Sequence, residues 1–158
     1  MSEKHTISCL VENHFGVLAR VSSLISARGF NIDSLTVSTT EDPTISRMTI
    51  VVDAEGARLE QVKNQLGRLI DVIEVQELKE SEFFDRELLL ARVKASGQTK
   101  AELEQIAKRF GAKLADANDQ SVVVEATGDT KMLDQLVDRL RPHGITKLVR
   151  TGRVALEK

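Results

Sequence analysis

The stretch Glu12-Asn13-His14-Phe15-Gly16-Val17-Leu18 is the part of the chain best suited to chemistry. It lies between a strand-like segment and the start of an amphipathic pattern. A helix beginning there presents unpaired N–H groups and partial positive charge, which suit a carboxylate. Gly16 admits a ligand close to backbone that a Cβ would block. The Asn13 amide both donates and accepts, so it can orient a zwitterion. The same residues suit a plain turn and helix cap, and the local pattern alone leaves both readings open. Two further stretches carry polar groups at element ends. In Arg28-Gly29-Phe30-Asn31-Ile32-Asp33-Ser34-Leu35, Asn31 stands at the start of a strand, where it either meets a ligand or closes the turn. In Asp42-Pro43-Thr44-Ile45-Ser46-Arg47-Met48-Thr49, Arg47 is available to an anion, another subunit or a surface carboxylate.

A catalytic constellation is not evident. His5, His14 and His143 have no metal-ligand spacing, so a site built from them needs tertiary or dimer contacts; we expect solvent-facing or turn histidines and no metal. Cys9, the single cysteine, alternates with Ile7 and Val11 on an inward face and reads as a buried, inert thiol. The carboxylates fall on polar helix faces and in turns such as Glu41-Asp42, where solvation is the default. Phosphate-cradling and dinucleotide-binding glycine patterns are missing.

The order of elements that must position these residues repeats. In the first half, His5–Glu12 alternates as a strand. A helix follows with Val17, Leu18, Val21, Leu24 and Ile25 on one face, and Gly29 stands where a C-terminal cap belongs. Ile32–Ser38 and Ile45–Val52 read as a hairpin across Glu41-Asp42-Pro43. A helix carrying Leu59, Val62 and Leu66 and a strand from about Asp71 to Leu78 complete it. The second half gives a strand over Phe84–Ala95 and a helix carrying Leu103, Ile106, Ala107 and Phe110. Thr99 and Glu102 predict a capping box for that helix. Strands over Lys113–Ala117 and Ser121–Ala126, a helix stopped by Pro142, and a strand over Ile145–Val149 follow. The expected fold is α+β, two tandem ferredoxin-like βαββαβ modules, at residues 1–79 and 80–158. Each sheet would carry both helices on one face. The other face of the first sheet is semi-polar, with Ser34, Thr36, Arg47 and Thr49, and must be covered or solvated. Open edge strands invite a second copy, so a homodimer is expected.

Composition narrows the function classes. The chain has 158 residues and a formal net charge of -2, without the basic excess of a nucleic-acid binder. It has no Trp, no Tyr and five Phe, too few for base-stacking platforms. No apolar run approaches the roughly 20 residues that span a bilayer, and the opening residues lack the apolar core and cleavage site of a signal peptide. One cysteine suits a reducing compartment. A soluble, cytoplasmic protein is expected, with neither nucleic-acid nor membrane partners.

Four segments resemble a known family. They are Val11-Glu12-Asn13 through Gly16-Val17-Leu18-Ala19-Arg20-Val21; Arg28-Gly29-Phe30-Asn31-Ile32-Asp33-Ser34-Leu35-Thr36-Val37; Asp42-Pro43-Thr44-Ile45-Ser46-Arg47-Met48-Thr49-Ile50; and Gln65-Leu66 with Leu69-Ile70-Asp71-Val72. The first half resembles an ACT domain, the amino-acid-sensing form of the ferredoxin-like fold. More specifically, the chain is similar to the regulatory (small) subunits of acetohydroxyacid synthase, also named acetolactate synthase. Its second half matches through Arg86-Glu87-Leu88-Leu89-Leu90 and Arg150-Thr151-Gly152.

The resemblance implies a non-catalytic subunit that binds a branched-chain amino acid, valine foremost, and activates or feedback-inhibits a separate catalytic large subunit. It implies ACT domains paired into one continuous sheet, with the effector at their interface. Asn13 and Gly16, beside Val17 and Leu18, would form one wall. Asn31 and Ile32 of the other chain would form the opposite wall, with Ser38 near the pocket. Thiamine diphosphate, magnesium and FAD would belong to the catalytic partner, and this chain would carry no cofactor. His14-Phe15 and Ser38 depart from the family's usual residues, as does the short stretch after Gly152. The alternatives are a stand-alone ACT-type sensor regulating another enzyme or transcription, a small ferredoxin-like enzyme such as an acylphosphatase, and an RNA-recognition module. The first of these lacks an evident helix-turn-helix, the second a positioned loop arginine, and the third its strand aromatics.

Overall fold

The computed structural model describes residues 3–158. Met1 and Ser2, which open the segment read above for a leader, lie outside the described residues. Two compact units emerge, one running to Phe84 and including Arg153–Lys158, the other Asp85–Gly152.

The first unit contains β1 (Glu3–Glu12), α1 (Val17–Ala27), β2 (Asn31–Thr39), β3 (Ile45–Ala54), α2 (Gly56–Leu66) and β4 (Val72–Leu78). Its strands form an antiparallel sheet in the order β2-β3-β1-β4. The apolar stripes read from sequence explain why both helices share one face. Val17, Val21 and Ile25 of α1 and Leu59, Val62 and Leu66 of α2 join Ile7, Cys9, Val11, Met48, Ile50 and Val52 in one core. Burying each large aliphatic side chain contributes about 1.5–3 kcal/mol, which fixes the register, since a one-residue slip would turn the inward set to solvent. Burial also pushes the Cys9 thiol up to about 12, as expected for an inert core residue.

Register decides which ends of the strands meet. Ser38 pairs with Arg47, which pairs with Leu10, so this end of β2 lies on the side where β1 runs into the Asn13 loop. Asn31 pairs with Asp53, which pairs with Lys4, at the opposite end of the sheet. The seven residue-to-residue steps from Asn31 to Ser38 span about 23 Å.

The helix-free face of this sheet is covered in part by a strand that the sequence did not reveal. β9 (Val154–Glu157) follows the second unit, returns to the first and pairs with β5, whose first two residues belong to the same unit. Ala155 packs with Leu78 and Phe83. Arg153 Nη1 donates to Thr6 Oγ1 at 2.8 Å, and Thr36 Oγ1 donates to the Arg153 carbonyl at 2.9 Å. This cover accounts for the burial of Thr6, a hydroxyl that would otherwise lose water without a partner. Four residues are too short a run for alternation to distinguish from a tail.

The second unit comprises β5 (Phe83–Lys94, beyond its first two residues), α3 (Gln98–Arg109), β6 (Lys113–Ala117), β7 (Ser121–Gly128), α4 (Thr130–Leu140) and β8 (Ile145–Arg150). Its strand order is β6-β7-β5-β8. Leu103, Leu133, Leu136 and Leu140 of the helices pack on Leu89, Ala91, Val93, Val122 and Val124. The two tandem ferredoxin-like modules expected from the sequence are therefore present. The capping box is not. α3 begins at Gln98 after Gly97, without a side-chain cap, and the Thr99 hydroxyl instead donates to the Ser96 carbonyl at 2.8 Å. Starting two residues earlier than a Thr99 cap requires puts Thr99 inside the first turn, beyond reach of a cap. The side-chain cap in this unit belongs to α4, where Asp129 Oδ1 accepts from the Met132 N–H at 2.8 Å. Among the described residues no helix is long and apolar enough to cross a membrane.

Candidate functional site

The loop between β1 and α1 is built around Gly16, which has φ +85° and ψ −8°. An L side chain there would be strained, and a Cβ would stand 3.0 Å from Arg20 Nη1. The left-handed turn swings the chain into α1, whose N-terminus has no side-chain cap. The Val17 N–H donates to the His14 carbonyl at 3.5 Å, and the N–H groups that follow it, of Leu18 and Ala19, are those a helix start offers to an anion. Val17, the next residue, is buried in the core, whereas Leu18 is exposed.

Asn13 ties the loop to the β2–β3 hairpin. Its backbone N–H donates to the Thr44 carbonyl at 2.7 Å, and Nδ2 donates to the Pro43 carbonyl at 2.9 Å. One amide hydrogen is therefore committed to the hairpin, which orients Oδ1 as an acceptor. The hairpin tip is itself set by Asp42, whose Oδ1 accepts from the Thr44 hydroxyl at 2.7 Å and the Thr44 N–H at 2.9 Å. Those two bonds hold the Asp42 carboxyl below its usual range.

Beneath the loop lies a polar network centred on Asp71, in the turn before β4. Arg20 Nε donates to Asp71 Oδ2 at 2.8 Å, and Nη2 stands 2.6 Å from the same oxygen. His14 Nε2 stands 2.8 Å from Asp71 Oδ1 and 3.1 Å from Glu12 Oε2. The other ring nitrogen, Nδ1, faces the Phe15 carbonyl at 3.2 Å. The Asp71 side chain is 7% exposed, against 48% for His14 and 47% for Arg20. A buried carboxylate thus holds two half-exposed basic groups, the Arg20 guanidinium and the His14 imidazole. The Phe15 carbonyl foremost, and then the Glu12 and Asp71 carboxylates, raise the His14 imidazole above its usual 6.5.

Among the described residues, Glu12, His14 and Asp71 are the one grouping of potential metal ligands. Arg20 already balances Asp71, and the cluster reads as an ion-pair network. His5 instead pairs with Glu77 at 3.2 Å, and His143 stands 3.7 Å from Glu102.

The structure brings Asn13, Gly16, Val17 and Leu18 together at one end of the first unit. Ser38 lies near that end on β2, while Asn31 and Ile32 begin the same strand at its far end. Asn31 Nδ2 donates to Asp33 Oδ1 at 3.2 Å. Sequence reasoning missed Asp71 as the anchor of the loop. Its signal was a lone carboxylate among aliphatics in Leu69-Ile70-Asp71-Val72. Arg47, left open as an anion or subunit contact, donates to Ser8 Oγ at 2.9 Å.

Residues 7–74 match the family described as AHAS small subunit-like ACT domain, and residues 86–158 match the family described as small subunit of acetolactate synthase. The chain is 47% identical over 153 residues to a probable acetolactate synthase small subunit of Archaeoglobus fulgidus, covering 97% of this chain and 96% of that protein. To the acetolactate synthase small subunit of Mycolicibacterium smegmatis it is 45% identical over 154 residues, covering 98% and 91%. The crystal structure of the acetolactate synthase small subunit from Thermotoga maritima superposes with a TM-score of 0.91 at 30% identity, covering 99% of this chain and 98% of that one.

Proposed function

We propose a mechanism from one premise: this chain belongs to the family of acetolactate synthase small subunits. Members are regulatory, non-catalytic subunits of an enzyme complex, and the first module here is its ACT domain. The chain binds a branched-chain amino acid, valine foremost, and transmits that binding to a catalytic large subunit. Thiamine diphosphate, magnesium and FAD are assigned to that partner, and the complex to the cytoplasm.

The observation that carries this reading is the placement of the Asn13–Gly16 loop beside one end of an edge strand. The α1 N-terminus suits the effector's carboxylate, and Asn13 Oδ1 suits its ammonium. Within one chain Asn31 and Ile32 lie a strand's length from that loop. Antiparallel pairing of two β2 edges about a two-fold axis near Leu35 supplies them from the second copy. It brings the Asn31–Ile32 end of one protomer's β2 to the Ser38 end of its partner's. An effector held by two chains can favour one dimer geometry over another, which regulation requires. Phe15 and Ile70, almost fully exposed beside the loop, suit contact with a partner subunit.

Isothermal titration of the purified chain with valine, leucine, isoleucine and alanine tests the reading. Saturable binding of valine is expected, and Asn13→Ala should weaken it by about tenfold or more, the scale of an unmade hydrogen bond to a charged group. Absence of binding by a folded, dimeric chain would contradict the assignment of the effector. With binding in hand, acetolactate synthase activity of the reconstituted complex should respond to valine over the same concentrations.

A further inference from the structure

We propose that Asp71 is the positioning residue of the effector loop, holding both sides of it through Arg20 and His14. The inference rests on the effector reading above. It names a residue outside the pocket walls and a proton dependence of the site.

The geometry is specific. The loop from Asn13 to Gly16 has three fastenings. The hairpin takes Asn13, at 2.7 and 2.9 Å. Asp71 Oδ1 takes His14 on the near side of the turn, at 2.8 Å. Asp71 Oδ2 takes Arg20 at 2.8 and 2.6 Å, one helical turn into α1. The Asp71 carbonyl also accepts from the Glu12 N–H at 2.8 Å, which locks the turn to the end of β1. Arg20 Nη1 is left beside Gly16, close to where a Cβ would lie. A single buried carboxylate therefore fixes the loop relative to α1.

Both ring nitrogens of His14 face oxygens, and neutral imidazole has a hydrogen on only one nitrogen. The arrangement is complete only when His14 is protonated. The groups facing it are Glu12 from β1, Asp71 from the turn before β4, and the Phe15 carbonyl of the loop itself. Arg20 from α1 reaches it through Asp71. The adjoining hairpin brings Asp42, which is turned back onto Thr44. The sign follows from the direction in which His14 is shifted. Raised above 6.5, it favours the clamped loop fully below that value and ceases to do so as pH rises through its folded midpoint. Effector affinity should fall across the same interval.

Two measurements test this on the full chain. The first follows the His14 ring and the Asn13 and Gly16 amides by NMR from pH 5.5 to 8.5, without ligand. The second repeats the valine titration across that range. In the wild type, His14 should titrate above the usual 6.5, and the loop amides should shift with the same midpoint. Asp71→Asn, nearly isosteric, should lower the midpoint, uncouple the amides and weaken valine by roughly tenfold. His14→Gln should flatten the pH profile of affinity, which a merely structural role would leave unchanged. The proposal is overturned if Asp71→Asn leaves the titration and loop shifts of a folded chain as they were. It is equally overturned if valine binds the wild type and His14→Gln with the same pH profile. Failure of the wild type to bind valine defeats the effector reading instead, and the ligand-free NMR still decides the role of Asp71.

Discussion

Gly16→Val is expected to weaken valine binding by about a hundredfold, towards the upper end of the range for coupled sites, in a chain that still folds. Two effects act together. At φ +85° a side chain other than glycine's is strained, at roughly 1–2 kcal/mol, and a β-branched residue adds crowding. The added Cβ also meets Arg20 Nη1 at 3.0 Å. The guanidinium is the mobile partner, and its displacement disturbs the same group that grips Asp71. The strain is small beside the roughly 5–15 kcal/mol that stabilises an ordinary domain, so the sheet and helices persist. Circular dichroism and thermal melting should show a folded chain with a modestly lowered midpoint. Titration calorimetry should show almost no valine heat. Wild-type affinity in Gly16→Val would place the effector elsewhere.

Leu35→Cys is expected to yield a covalent dimer in high yield under mild oxidation. The proposed two-fold axis near Leu35 sets the two copies of residue 35 side by side across the antiparallel β2 pair. The two Cα atoms then fall within the roughly 4.4–6.8 Å that a disulfide spans. Asn31→Cys makes the control, because four residues of strand set it about 13 Å from the axis along β2. Cys9 does not confuse the readout: it is fully buried, and burial raises its thiol to about 12. Non-reducing electrophoresis checks the outcome. Equal crosslinking of both variants, or of neither, would contradict the register.

The fold was legible because its strong signals are periodic. Val17, Val21 and Ile25 mark the buried side of α1 at helical spacing, and Ile7, Cys9 and Val11 mark that of β1 by alternation. Turn chemistry set the hairpin at Asp42-Pro43. β9 was missed because Val154 to Glu157 is too short to show a period. The capping-box reading of Thr99 failed because Gly97 starts α3 early. At the site, the resemblance identified Asn13 and Gly16, residues whose local pattern suits any turn. Asp71 escaped because its partners, His14 and Arg20, are more than fifty residues away in sequence, and nothing local announces an ion pair closed by the fold.

A mixing experiment tests most directly whether the effector site is shared between two chains. Asn13→Ala and Asn31→Ala are prepared separately, each expected to bind valine poorly. They are then unfolded, combined in equal amounts and refolded so that protomers exchange. In a mixed dimer one pocket inherits both substitutions, and the other takes Asn13 from one chain and Asn31 from its partner, fully intact. Random pairing should restore wild-type affinity in about one site in four. Recovery of that fraction by calorimetry is the result the shared-site account predicts. No recovery in a demonstrated mixed dimer, or wild-type binding by Asn31→Ala alone, would contradict it.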